Sequence, residues 1–151
     1  MPRYNSKEYK VMTKSPPAIS ASPGTVEGAA GVVLFAHGAR DARWAEPFSG
    51  VAERVRAGAP GMPVEIAFLE FMVPDLATAV DRMAERGVTR IRVIPLFLGT
   101  GGHLRAEVPR LLAEIAASRP AVAIELAPAA GDDPRVIEAI AAYCLTELPR
   151  R

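Results

Sequence analysis

The chain has 151 residues, half of them apolar and 23% charged, which is enough to bury one core and leaves no room for a second of similar size. Eighteen Lys plus Arg against seventeen Asp plus Glu leave a formal charge of +1, so affinity built on a broad basic surface is excluded and no nucleic-acid partner is expected. The single cysteine, Cys144, can form neither an intramolecular disulfide nor a multi-cysteine metal site, and the expected address is cytoplasmic.

Residues 1–30 hold all three lysines (Lys7, Lys10, Lys14), four of the fourteen prolines and no apolar period. They are read as a flexible N-terminal arm of net charge +2, ahead of one α/β domain over residues 31–151 of net charge −1. No apolar run is long enough for a secretory signal or a membrane span, so no membrane association is expected. Glu8, Glu27 and the prolines count against an amphipathic transit helix.

From residue 31 short apolar runs alternate with stretches of helical period, four times over. Strands are predicted at Val32 to Ala36, Val64 to Leu69, Ile91 to about Leu98 and Val122 to Leu126. Four apolar stripes define the helices: Trp44, Phe48, Val51, Ala52 and Val55; Leu76, Val80, Met83 and Ala84; Val108, Leu111, Leu112 and Ile115; and Val136, Ile137, Ile140, Cys144 and Leu145. On this reading Trp44 and Phe48 are core residues and Cys144 is a buried thiol. Repeated strand-helix units imply a parallel sheet with helices on both faces. The first strand is apolar throughout and the third nearly so, as central strands require, whereas Glu65 and Glu125 suit edges. The expected fold is therefore a flavodoxin-like three-layer α/β/α domain whose four-stranded parallel sheet has the order 2-1-3-4. Pro95 cannot donate to the ladder, so pairing in the third strand should weaken there.

Only two histidines exist. His37 follows the first strand directly and His103 ends the loop after the third, so both face the crevice where open α/β sheets bind ligands. Glu70 ends the second strand on the same edge, 33 residues from each histidine. Two imidazoles and a carboxylate make a nitrogen/oxygen site for a divalent transition metal with coordination positions left open. Taken singly, each histidine equally fits a hydrogen-bonded loop residue and Glu70 a solvated carboxylate. The segment Gly99-Thr100-Gly101-Gly102 permits positive φ and close backbone approach to a ligand, with Gly101 and Gly102 just ahead of a helix whose amides attract anions. Arg40, Arg43 and Arg105 flank the histidines, and their guanidinium forks match carboxylates and phosphates.

Four stretches in order, VVLFAHGARD, VEIAFLEFMVPDL, RIRVIPLFLGTGGHLRAEVP and IELAPAAGDDP, resemble the small, single-domain sirohydrochlorin cobaltochelatases and ferrochelatases, class II tetrapyrrole chelatases. The resemblance implies insertion of a divalent metal into sirohydrochlorin in cobalamin- or siroheme-type biosynthesis, with Co2+ as the metal substrate, Fe2+ or Ni2+ as alternatives, and no organic cofactor. It assigns His37, His103 and Glu70 to the metal; the loss of two pyrrole protons on insertion further calls for a proton relay, expected at His103 on its glycine loop. Arg40, Arg43, Arg105 and the amides of Gly101 and Gly102 become anchors for the carboxylates of the tetrapyrrole. Ala39 stands where the family commonly has serine, which removes one hydroxyl contact. A lobe of this size cannot enclose a macrocycle alone, and larger relatives look like two such lobes, so a homodimer is expected. Two other readings stay open: a non-catalytic metal or tetrapyrrole carrier using the same ligands, and a histidine-dependent phosphoryl-transfer enzyme. The second lacks the arginine that would precede its histidine, since Ala36 stands there.

Overall fold

A computed structural model describes residues 28–149. In chain order the elements are β1 (Ala29–Ala36), a 3-10 turn (Ala42–Ala45), α1 (Glu46–Gly58), β2 (Val64–Phe68), α2 (Leu76–Glu85) and β3 (Val88–Pro95). They continue with α3 (Gly102–Ser118), β4 (Ala123–Leu126), a second 3-10 turn (Ala130–Asp132) and α4 (Pro134–Thr146). The four strands pair in parallel in the order β2-β1-β3-β4, as the placement of Glu65 and Glu125 at edges predicts. Among the described residues no helix is long and apolar enough to cross a membrane.

Alternation along β1 divides the interior in two. Val33 and Phe35 point to one face, with Ile91, Val93 and Phe97 beside them, and pack on α2 through Leu76, Ala79, Val80 and Met83. The same cluster takes in Val108, Leu112 and Ile115 of α3. Leu34 points to the other face and meets Val64 and Ala52 of α1, with Val32, Val55, Ile66, Ile94 and Leu96 at the margin. One side of the sheet is thus covered by two helices and the other by α1, and the first holds most of the buried apolar area that stabilises the domain. No side-chain nitrogen or oxygen among the described residues is buried without a partner.

Several boundaries differ from the sequence reading. β1 begins at Ala29, inside the stretch read as an arm, because Ala29 and Ala30 pair with Val88 and Arg90 although they carry no bulky apolar side chain. The remainder of that stretch, residues 1–27, lies outside the described residues. β3 begins at Val88, where exposed Thr89 and Arg90 interrupt the apolar run, and it ends at Pro95 rather than near Leu98. The missing proline N–H limits the ladder there, and a last bond runs from the Leu96 amide to the Phe35 carbonyl at 2.7 Å.

One expected core stripe is core only in part, and another is not core at all. Trp44 sits on the 3-10 turn before α1 and is 47% exposed, and Ala52 is the one buried residue of α1. α4 has no buried residue: Ile137, Ile140, Tyr143 and Leu145 are exposed, and so is Cys144, which is therefore not the buried thiol expected. The physical reason is placement. α4 leaves a four-residue edge strand through a 3-10 turn and rests chiefly on that turn, so its apolar face does not reach the sheet. Helical period shows that a face is apolar, and says nothing about what will cover it.

Helix α2 is set by its cap. Asp75 accepts from the Thr78 amide at 2.8 Å, and hydrogen bonding from Thr78, side chain first and amide second, holds the Asp75 carboxyl below its ordinary value. The Arg119 side chain does the same for Asp81 on this helix, and the Arg135 fork holds Asp133, the cap of α4, at about 2. Each is a depressed carboxyl, so its stabilising contribution is complete above the unfolded-state value of about 4 and is lost as pH falls through the folded value. Asp75→Ala is expected to cost about 1 kcal/mol in urea unfolding at pH 7. The gap between variant and wild type should close as pH drops below about 4; a gap that widens on acidification would contradict the capping role.

Candidate metal centre

The ladder between β1 and β2 continues beyond the strands. The Leu69 amide donates to the Ala36 carbonyl at 2.8 Å and the Glu70 amide to the His37 carbonyl at 3.0 Å, so residues 37 and 70 stand opposite each other at the carboxyl rim. Gly38 makes this possible. Its φ is +91°, and a Cβ there would lie 2.0 Å from the Glu70 carbonyl oxygen, an overlap that no side chain survives. Glycine at position 38 is thus a backbone requirement.

Below the rim the His37 ring lies on the Phe97 ring, centroids 4.3 Å apart and planes at 37°. Phe97 is buried and touches Phe35 in turn, at 5.7 Å. Its backbone is pinned as well: the Gly131 amide donates to the Phe97 carbonyl at 2.8 Å, and a Cβ at Gly131 would meet the Leu98 carbonyl at 1.9 Å. One face of the imidazole therefore rests on a fixed core aromatic, which restricts its orientation before any ion arrives. Imidazole nitrogen at such a rim can bind a borderline divalent cation or accept a proton.

Glu70 is exposed beside this histidine. His103 is the second residue of α3, not the end of a loop, because helical geometry begins at Gly102. Its backbone therefore belongs to the first turn of a helix that opens after β3. Gly99, Gly101 and Gly102 do not take up positive φ; among the described residues the glycines that do are Gly38, Gly61 and Gly87. A Cβ at Gly99, Gly101 or Gly102 would meet nothing within 4 Å, so protein packing does not demand glycine at any of the three. Among the described residues no group of three His, Cys, Asp or Glu side chains forms a ready metal cluster.

The three arginines differ in availability. Arg43 is held by Asp41, Nη2 to Oδ2 at 2.7 Å, and Asp41 also accepts from the Arg43 amide, capping the 3-10 turn. The Arg43 side chain first, and its amide second, lower the Asp41 carboxyl. Both residues are exposed, so water screens the pair. Arg105 donates from Nε to Thr100 Oγ1 at 3.2 Å and lines a pocket of about 220 Å³ with Thr100, Phe97, Leu104 and Val108. Arg40 lies over the ring of Phe71, 5.4 Å from its centroid. Ala36 is fully buried within β1, so no cationic group precedes His37 to clamp a phosphate.

Two residues of this rim escape a reading of the sequence. Phe97 lies within an apolar run that reads as strand, and Phe71 follows Glu70 in a stretch that reads as strand end. Gly38→Ala is expected to lower stability by at least about 2 kcal/mol, measured by denaturant unfolding, since both its φ and its contact with Glu70 forbid a Cβ. Stability within experimental error of the wild type would mean that the close approach is not a constraint.

Comparison with known proteins identifies the family. The CbiX family pattern matches residues 31–145. The sirohydrochlorin cobaltochelatase of Methanopyrus kandleri is 36% identical over 81 residues, 54% of this chain and 57% of that one. The sirohydrochlorin ferrochelatase of Bacillus subtilis is 28% identical over 109 residues, 72% of this chain and 42% of that one. The chain thus spans about half the length of these relatives. Among solved structures, a CbiX protein from Marinobacter aquaeolei VT8 superposes with a TM-score of 0.71 at 37% identity, over 78% of this chain and 96% of that one. With the family pattern running from β1 into α4, and the same wound sheet in a solved relative, the chain belongs to the CbiX family.

Proposed function

We propose that the chain is a sirohydrochlorin chelatase, inserting a divalent metal into the tetrapyrrole with release of the two pyrrole N–H protons. The observation that carries this reading is the juxtaposition of His37, stacked on buried Phe97, with Glu70 across the extended β1–β2 ladder. Membership of a family whose relatives include proteins named for cobalt and for iron chelation supports it. Co2+ is the proposed metal substrate, with Fe2+ and Ni2+ as alternatives; imidazole and carboxylate bind all three, and geometry and supply select among them.

In the proposed mechanism His37 and His103 present the ion and replace part of its water shell, and Glu70 supplies a third oxygen ligand or balances charge. As the macrocycle closes on the metal, two protons leave its pyrrole nitrogens; an imidazole accepts one, with His103 as the proposed relay, and the other passes to solvent water. Arg40, Arg43 and Arg105, together with the amides of Gly101 and Gly102 at the start of α3, receive the peripheral carboxylates. Arg43 does so by exchanging Asp41 for the substrate, an exchange that an exposed pair permits at small cost.

The proposed assembly is a homodimer in the cytoplasm. The apolar face of α4, with Ile137, Ile140, Tyr143 and Leu145 exposed, favours pairing because contiguous apolar surface of this kind is costly in water.

Anaerobic incubation with Co2+ and sirohydrochlorin, followed by the absorption change of the macrocycle, tests the activity. His37→Ala and His103→Ala are each expected to reduce kcat/KM at least about 100-fold. More than one metallated product per protein separates an enzyme from a carrier, and a yield that stops at one supports the carrier. In sedimentation the wild type is expected at twice the chain mass and Ile140→Glu at the monomer mass. A fully active wild-type monomer would refute the pairing.

A further inference from the structure

The segment after β2 holds one residue that neither packing nor local preference accounts for. Phe71 has φ +61°, the left-handed region that aromatic side chains avoid, and its ring is 61% exposed. The Met72 amide donates to the Glu70 carbonyl at 2.8 Å, closing a γ-turn on Phe71 in its strained, positive-φ form. The turn is locked from both sides. Glu70 is tied to His37 and wedged against Gly38, and the Phe68 amide donates to the Pro74 carbonyl at 2.9 Å, where Phe68 also bridges to Asp75. The fold thus holds an apolar ring out in water in a conformation it disfavours. Both features are unfavourable in the free domain, and a flat apolar partner would offset them.

The second member is Arg40. Its guanidinium lies 5.4 Å from the Phe71 centroid, and among the described residues it pairs with no carboxylate, unlike Arg43, Arg86, Arg92, Arg110, Arg119 and Arg135. A cation over an aromatic face keeps its N–H donors free at the edge. The pair presents an aromatic surface and an anion receptor side by side, one residue from Glu70 and three from His37.

We infer that Phe71 and Arg40 form a substrate platform, Phe71 contacting the apolar ring system of the macrocycle and Arg40 a carboxylate on its periphery. The inference rests on the chelatase reading and adds a specificity-determining residue to it. Phe71 is a binding residue and takes no part in proton or metal transfer.

The test uses metal-free sirohydrochlorin and, separately, Co2+ alone. Trp44, the one tryptophan of the chain, stands exposed on the turn after the His37 loop, and quenching of its emission reports tetrapyrrole binding. Phe71→Gly removes the ring and suits the positive φ. It is expected to raise the Kd for sirohydrochlorin at least about tenfold, to leave Co2+ affinity unchanged, and to unfold at the wild-type temperature or above it. Phe71→Tyr is expected to restore tight binding, and Arg40→Met to weaken it and flatten its dependence on salt. Wild-type affinity in Phe71→Gly, or a lower unfolding temperature, overturns the platform and leaves metal insertion standing. A wild-type protein that binds no sirohydrochlorin removes the chelatase reading and the platform together.

Discussion

Two backbone bonds beyond the ends of β1 and β2 carry the organisation of the rim. The amides of Leu69 and Glu70 reach the carbonyls of Ala36 and His37, and through them the two strand ends act as one rigid edge. Each bond contributes only about 1 kcal/mol, yet together they decide where two candidate ligands stand. Gly38 is the steric condition for that edge, since any Cβ would overlap the Glu70 carbonyl. Phe97 is the support beneath it, buried against Phe35 and pinned through Gly131. The rim is thus built from backbone contacts and core packing, and the candidate side chains are placed on top of them.

The domain is lopsided. On one face α2 and α3 pack Phe35, Val93, Met83 and Leu112 into a continuous core; on the other α1 buries only Ala52 of its own residues. That division fits a protein whose rigid half holds the strands in register while the opposite side and the far helix stay open. Trp44 and the apolar face of α4 both lie outside the main core. A solvated apolar stripe along one helix is a standing cost for an isolated domain, which is the feature on which the proposed pairing rests.

Charge is handled locally. Among the described residues the acids of lowered pKa are Asp41, Asp75, Asp81 and Asp133, and three of them cap a helix or a turn. The pairs at Asp41, Asp75 and Asp133 shape the starts of a turn and two helices. Arg40 stands apart because its partner is an aromatic ring, which holds the guanidinium in place without neutralising it.

Strand order, the two edge strands and the rim position of His37 and Glu70 were legible in the residues. Side-chain direction in a strand or helix is a local property, and alternation or a 3.6-residue period reports it directly. The weakening of the ladder at Pro95 was legible too, since a proline lacks its donor wherever it sits, although the strand ends there and not near Leu98. What period cannot carry is which apolar faces meet. The same stripe that buries α2 leaves α4, Trp44 and Cys144 in water, because the outcome depends on where a distant segment leaves the sheet. The start of α3 at Gly102, the stack of His37 on Phe97 and the left-handed turn at Phe71 arise from contacts between segments far apart in the chain. The residues alone therefore determined the layered sheet and the edge at which His37 and Glu70 stand. Only the tertiary structure decided which side chains at that edge are supported from below and which face solvent, because support and exposure are relations between elements and not properties of any one of them.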